Sequence, residues 1–194
     1  MNKTTKHPAK AGRAKKKKKS DSVISFDRRL LEKALDTQHG KRKQNPLRQA
    51  QKIIYDAWEC RDPEERIAFA VGALALSPHC ADAYVLLAEE AAGSLKEALR
   101  LYQMGTEAGE KALGKAAFRK DAGHFWGILE SRPYMRARAG LAQCLWISGL
   151  RQEAVTHYTG MLKLNPNDNQ GIRYVLLPCL IELGQDKEAE LRQV

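Results

Sequence analysis

Leu141-Ala142-Gln143-Cys144-Leu145 and, 35 residues further on, Leu176-Leu177-Pro178-Cys179-Leu180 decide how this chain is read. Each string leads to a glycine, Gly149 or Gly184, and then to a polar stretch ending in Glu153-Ala154 or Glu188-Ala189. Apolar residues at i, i+1 and i+4 share one face of a helix, and a glycine after such a face is a helix stop. The two strings are therefore corresponding helices of a repeated helix–turn–helix unit.

Working outward, the same grammar recurs. Ala154, Tyr158, Met161 and Pro166 form the second helix and stop of the unit that begins near Tyr134. Tyr84, Leu87 and Ala88, a turn at Gly93-Ser94, then Ala98, Tyr102 and Gly105 make an earlier copy. The first copy is the most diverged: Ile53, Ile54 and Ala57, a turn at Asp62-Pro63, then Ile67, Ala70 and Ala73, with Arg66 where alanine is expected. Pro78 and Pro166 end helices because proline cannot donate the next backbone bond. A period near 34 in helix–turn–helix units resembles the tetratricopeptide repeat. The expected fold is all-α, a tetratricopeptide-type helical hairpin array (an α-solenoid) over 47–194. Its hairpins fall at about 47–78, 81–113, 134–166 and 170–194, with an insertion at 114–133. Three or more such units suffice to bury a continuous core.

Composition agrees with helix. Leucine and alanine dominate the apolar residues of this 194-residue chain, and β-branched residues are sparse. The net charge of +10 is unevenly spread. Residues 1–49 hold 16 Lys and Arg against 4 Asp and Glu, a net of +12, and the remainder holds 17 against 19, a net of −2. Residues 1–22 carry Lys15, Lys16, Lys17, Lys18 and Lys19 in a row and no large apolar residue after Met1. A segment that cannot bury surface is expected to be a disordered tail. Residues 23–46 are expected to form a short helix (Ser25 to Thr37, with Phe26, Leu30, Ala34 and Leu35 on one side) and a linker. The four cysteines show no Cys-x-x-Cys spacing and are read as buried, reduced thiols. No apolar run approaches the ~20 residues of a membrane helix, and no signal-peptide core follows the basic start, so a cytoplasmic chain is expected.

Three strings are more particular than the repeat. They are Gly123-His124-Phe125-Trp126-Gly127 with Glu130-Ser131-Arg132-Pro133-Tyr134-Met135-Arg136-Ala137, Asn165 to Gly171 followed by Arg173-Tyr174, and Ala81 to Glu90. Together they resemble the suppressor-of-tumorigenicity-7 family and its bacterial tetratricopeptide relatives, over about residues 47–190. The resemblance implies a repeat scaffold without a defined biochemical activity, and its animal members are membrane-associated.

The insertion gathers Phe118, His124, Phe125, Trp126 and Tyr134 beside Arg119, Arg132 and Arg136. One reading is a loop whose aromatics plug the gap between the second and third hairpins. The other is a partner pocket, because Trp, Tyr and Arg dominate interface energetics. The inner surface of such an array is lined by first helices: Arg48, Gln51, Tyr55 and Trp58; Asp82, Val85, Glu89 and Ala92; Arg136, Ala139, Gln143 and Trp146; Gly171, Tyr174, Pro178 and Ile181. Partner binding is accordingly assigned to Trp126, Arg132, Tyr134, Arg136, Gln143, Trp146 and Tyr174. The function expected is a non-catalytic interaction scaffold for a protein or peptide. An alternative is polyanion (RNA or ribosome) binding through Lys15–Lys19, driven by counterion release. An enzyme using His124, Glu130 and Arg132 is the least favoured reading, since no nucleophile motif, metal spacing or phosphate loop accompanies them. No cofactor is expected.

The chain's end carries its own expectation. The last helix, from about Asp186 to Val194, is short for a repeat, and Gln193 stands where an aromatic is usual. Leu176, Leu180 and Leu183 are then expected to be partly exposed and open to self-association.

Overall fold

In the computed structural model, the described residues are 45–184. The lysine run, the 25–37 segment and the last helix lie outside them. The described residues hold seven α-helices, two short 3-10 turns and no strand. The helices are α1 (Pro46–Glu59), α2 (Pro63–Leu76), α3 (Ala81–Glu90), α4 (Leu95–Lys120), α5 (Arg132–Ile147), α6 (Arg151–Leu164) and α7 (Ile172–Glu182). The turns, Phe125–Gly127 and Leu129–Ser131, join α4 to α5.

The starts and stops are local chemistry. Asn45 and Asp62 each accept a backbone N–H of the turn they precede, from Leu47 and Glu64 at 3.0 Å, and each is followed by a proline whose missing donor costs nothing there. Ser94 Oγ accepts from Glu97 N–H at 3.2 Å, while the Glu97 carboxylate accepts from Gly93 N–H at 3.0 Å, a near capping box. At the far end of α5, Gly149 (φ 84°) lets Leu150 N–H return to Leu145 C=O at 2.9 Å and close the helix.

Each helix packs on its sequence neighbour, and α3 also touches both α1 and α5. The core has two parts. Around α1–α3 it is built on small residues, Ala50, Ala57, Ala70, Ala73 and Ala83, with Ile54 and Leu86. Around α5–α7 it is built on larger ones, among them Leu145, Tyr158, Met161, Leu176 and Leu180. Where α4 crosses α3 and α5, a Cβ on Gly105 would stand 3.1 Å from both the Tyr84 and Ala137 Cβ atoms, so only a very small residue permits this approach. Arg66, on the α2 face where alanine was expected, reaches Glu90 at 2.7 Å and the Cys60 carbonyl at 3.2 Å. A long cation thus replaces packing with one bond to the preceding turn and one ion pair to α3.

Three expectations need correction. First, the insertion is not a loop throughout. The regular helix runs to Leu113 as expected and is broken at Gly114, whose φ of 72° and ψ of 158° glycine adopts without a Cβ clash, but a second helical stretch then reaches Lys120. The insertion is therefore partly helix. Second, Leu176 and Leu180 are not exposed: they are 1% and 0% accessible, because their face of α7 joins the core cluster with the residues of α6. The apolar side chains that α7 presents outward include Tyr174, Val175 and Ile181. Third, Cys60 is only half buried, its thiol donating to Glu65 at 2.9 Å, whereas Cys80, Cys144 and Cys179 are buried as expected.

Asp168 caps α7 from outside the first turn. Its two carboxylate oxygens accept from Ile172 N–H at 2.7 Å and Arg173 N–H at 2.9 Å. Asp168→Ala should cost about 1 kcal/mol of stability, as loss of a cap does. Thermal unfolding monitored by circular dichroism measures this, and a change under a few tenths would mean that water replaces the carboxylate.

Candidate functional site

Asp82 lies in the first turn of α3 with none of its surface exposed. A buried carboxylate requires partners, and it has them on both sides. From α1, Gln51 Nε2 donates to Asp82 Oδ2 at 2.7 Å. From α5, Arg136 Nε donates to Oδ1 at 2.8 Å and its Nη2 donates to Oδ2, a bidentate pair. Burial works against the Arg136 charge, but the bonds to Asp82 outweigh it and hold the guanidinium firmly protonated. The same guanidinium lies 5.0 Å over the Trp58 ring, and Tyr55 tilts against Trp58 at 5.8 Å. One polar chain, Gln51–Asp82–Arg136, thus ties α1, α3 and α5 together beneath two partly exposed rings, Tyr55 at 44% and Trp58 at 38%.

The insertion is stitched to α5 and α6. Gly123 N–H donates to the Leu164 carbonyl at 3.0 Å. Phe125 is fully buried against Phe118 and Tyr134, at ring distances of 5.1 and 6.2 Å, with Phe118 edge-on to Tyr134 at 5.0 Å. Ser131 Oγ donates to the Phe125 and Ile128 carbonyls. Arg132 Nε donates to the Trp126 carbonyl at 2.9 Å and its guanidinium covers the Trp126 ring at 5.4 Å.

A cavity of about 320 Å³ opens where the insertion meets the starts of α1 and α3. Leu47, Ala81, Ala112, Leu129 and Pro133 give its apolar lining, and Arg48, Lys52, Tyr55, His79 and Glu130 its polar lining. Among the described residues no group of three or more His, Cys, Asp or Glu is placed to hold a metal ion, and no helix is long and apolar enough to cross a membrane. No hydrogen bond or ion pair joins the side chains of His124 and Glu130.

A model of the family described as ST7 protein matches residues 8–166, most of the chain. The chain belongs to the ST7 protein family. It is 45% identical over 64 residues to the human suppressor of tumorigenicity 7 protein-like, covering 33% of this chain and 11% of that protein. It is 34% identical over 110 residues to the Caenorhabditis elegans protein ST7 homolog, covering 53% of this chain and 20% of the relative. A longer match, 29% identical over 165 residues, is to the suppressor of tumorigenicity 7 protein of Macaca fascicularis, covering 71% of this chain and 30% of that protein. The chain therefore spans less than a third of the length of these relatives.

Within this ST7-family chain the residues singled out from sequence divide by environment. Tyr134 is 2% accessible and belongs to the core, while Trp126 and Arg132 cover each other at its edge. Arg136 is committed to Asp82. Gln143 is exposed, Trp146 lies under Arg151 at 5.1 Å, and Tyr174 is 86% accessible. Sequence reasoning placed Asp82 on the inner row but missed its pairing with Arg136. An acid and a base both on the inner row near the starts of first helices was the available signal.

A half-buried histidine has a pH consequence. On α6, His157 has its Nδ1 buried without a bonding partner, and desolvation and then the nearby Arg138 lower its pKa from 6.5, with Glu153 opposing them. A depressed histidine contributes stability that is present above its ordinary pKa and lost as pH falls through the folded-state value. Stability should therefore decline below about pH 6.5, and His157→Gln should flatten that decline in urea unfolding at pH 7 and pH 5. An unchanged slope would show that other groups set it.

Proposed function

We propose that this chain is a non-catalytic, cytoplasmic scaffold, a tetratricopeptide-type array of helical hairpins that holds a protein or peptide partner. The binding face is the one shared by the first helices, α1, α3, α5 and α7, extended by the insertion. The observation that carries this reading is the Gln51–Asp82–Arg136 chain. It braces three first helices from beneath while the Tyr55 and Trp58 rings stay accessible. Rigid aromatic side chains over a satisfied polar base offer contact area at low entropic cost. A photo-crosslinking amino acid at Gln143 or Tyr174 of the full chain should capture the same discrete partner, and one at Gln103 on α4 should not. Equal capture from all three positions would remove the assignment.

A second reading rests on the charge division, +12 in residues 1–49 against −2 in the rest. Lys15–Lys19 act in it as a polyanion tether whose affinity falls steeply with salt and ignores sequence. Replacing those five lysines with glutamine in the full chain should lower the salt at which the protein leaves heparin. Unchanged elution would assign the retention elsewhere.

A further inference from the structure

We infer that the cavity between the starts of α1 and α3 and the insertion takes an acidic segment of a partner protein, in which one bulky aliphatic side chain is flanked by aspartate or glutamate. This deepens the scaffold reading and rests on it, since it names what one end of the proposed binding face recognises.

The size sets the first limit. About 320 Å³ is at the small end of the roughly 300–1,000 Å³ of ligand pockets, room for a large side chain and the backbone beside it. The lining sets the second. Leu47, Ala81, Ala112, Leu129 and Pro133 offer an aliphatic surface, and Leu129, 60% accessible, has unspent apolar area at the mouth. An aliphatic side chain would remove both surfaces from water.

Charge sets the third. Arg48 and Lys52 stand one helical turn apart on α1 at the same cavity, and no ion pair within the described residues engages either. His79 lies at the cavity as well, and among the described residues Glu130 is the one acid that lines it. The nearby carboxylate that would repel an acidic ligand, Asp82, is withdrawn from the surface and held by Arg136. The starts of α1, α3 and α5 all contribute to the lining, through Leu47, Ala81 and Pro133. Their N-terminal ends add partial positive charge, and no acidic residue offsets it in the first turns of α1 and α5. Apolar lining and cationic surround together match an acidic–aliphatic segment, whereas a basic segment would meet Arg48 and Lys52.

The test uses the full chain and fluorescein-labelled, end-blocked peptides read by polarisation at low and moderate salt. The probes are Gly-Asp-Glu-Leu-Glu-Asp-Gly, the same peptide with serine for leucine, and its lysine counterpart Gly-Lys-Lys-Leu-Lys-Lys-Gly. The acidic leucine peptide should bind best, and serine for leucine should weaken it about tenfold. Ala112→Leu, filling the cavity from an exposed position, and Arg48→Gln with Lys52→Gln should each weaken it about tenfold, the latter also reducing the salt dependence. Leu129→Ser should weaken binding of the leucine peptide alone, and it stands in for Ala112→Leu if that variant unfolds. Equal binding of the leucine and serine peptides would overturn the inference, as it would leave general attraction to the basic residues. So would preference for the lysine peptide, or indifference to all the variants. Crosslinking from Gln143 reports on the broader scaffold reading independently, so loss of the peptide result alone leaves that reading standing.

Discussion

Replacing Arg136 with methionine should destabilise the protein by about 3–5 kcal/mol in urea unfolding, the cost of leaving a buried carboxylate without its cation. Asp82 has no exposed surface, so water cannot take over from the guanidinium. Gln51 remains, but one amide donor at 2.7 Å does not neutralise a charge. The double variant Asp82→Leu with Arg136→Met should recover most of the loss, because a buried ion pair is often no better than well-packed apolar residues of similar volume. A single variant within about 1 kcal/mol of wild type would mean that Asp82 is hydrated in solution. The result matters for function studies, since an Arg136 variant that fails to bind a partner would first have to be shown to fold.

Phe125→Ala should cost a similar amount, about 3–5 kcal/mol, and Trp126→Ala far less. The two rings are neighbours in sequence and differ in environment. Phe125 is fully enclosed by Phe118 and Tyr134, so its deletion leaves a cavity at the junction of α4, α5 and the insertion. Trp126 is partly accessible and its main neighbour is the Arg132 guanidinium, a flexible side chain that can follow the loss. Paired urea melts measure the difference. Equal losses would show that the Trp126–Arg132 stack carries as much of the insertion's stability as the buried ring does. If Trp126→Ala folds normally, it becomes the cleaner probe of any partner contact made by the insertion.

How far the site could be read from sequence varied with the interaction involved. The exposure of Gln143 and Tyr174 follows from helical phase, which a sequence displays directly. The commitment of Arg136 to Asp82 spans 54 positions and requires α3 and α5 to touch. Spacing alone offers no measure of that distance. Tyr134 illustrates the opposite error. Its aromatic–polar character suits an interface as well as a core, and only its contacts with Phe118 and Phe125 separate the two.

By itself the sequence determined the helical class, the stops at Ser77-Pro78 and Asn165-Pro166, the turns at Asp62-Pro63 and Gly93-Ser94, and the concentration of positive charge before residue 50. These are local properties: side-chain periodicity, proline's missing donor, a short polar side chain beside an open turn, and a count of charges. Tertiary structure alone decided that a second helical stretch follows the break at Gly114, that Leu176 and Leu180 are covered, and that Asp82 is bonded from two other helices and neutralised by Arg136. It also decided that a cavity opens between α1 and the insertion. Each of these depends on which helix faces lie against one another. Burial and charge pairing are set by neighbours in space, and the same leucine or aspartate would read identically in the sequence whether covered or bare.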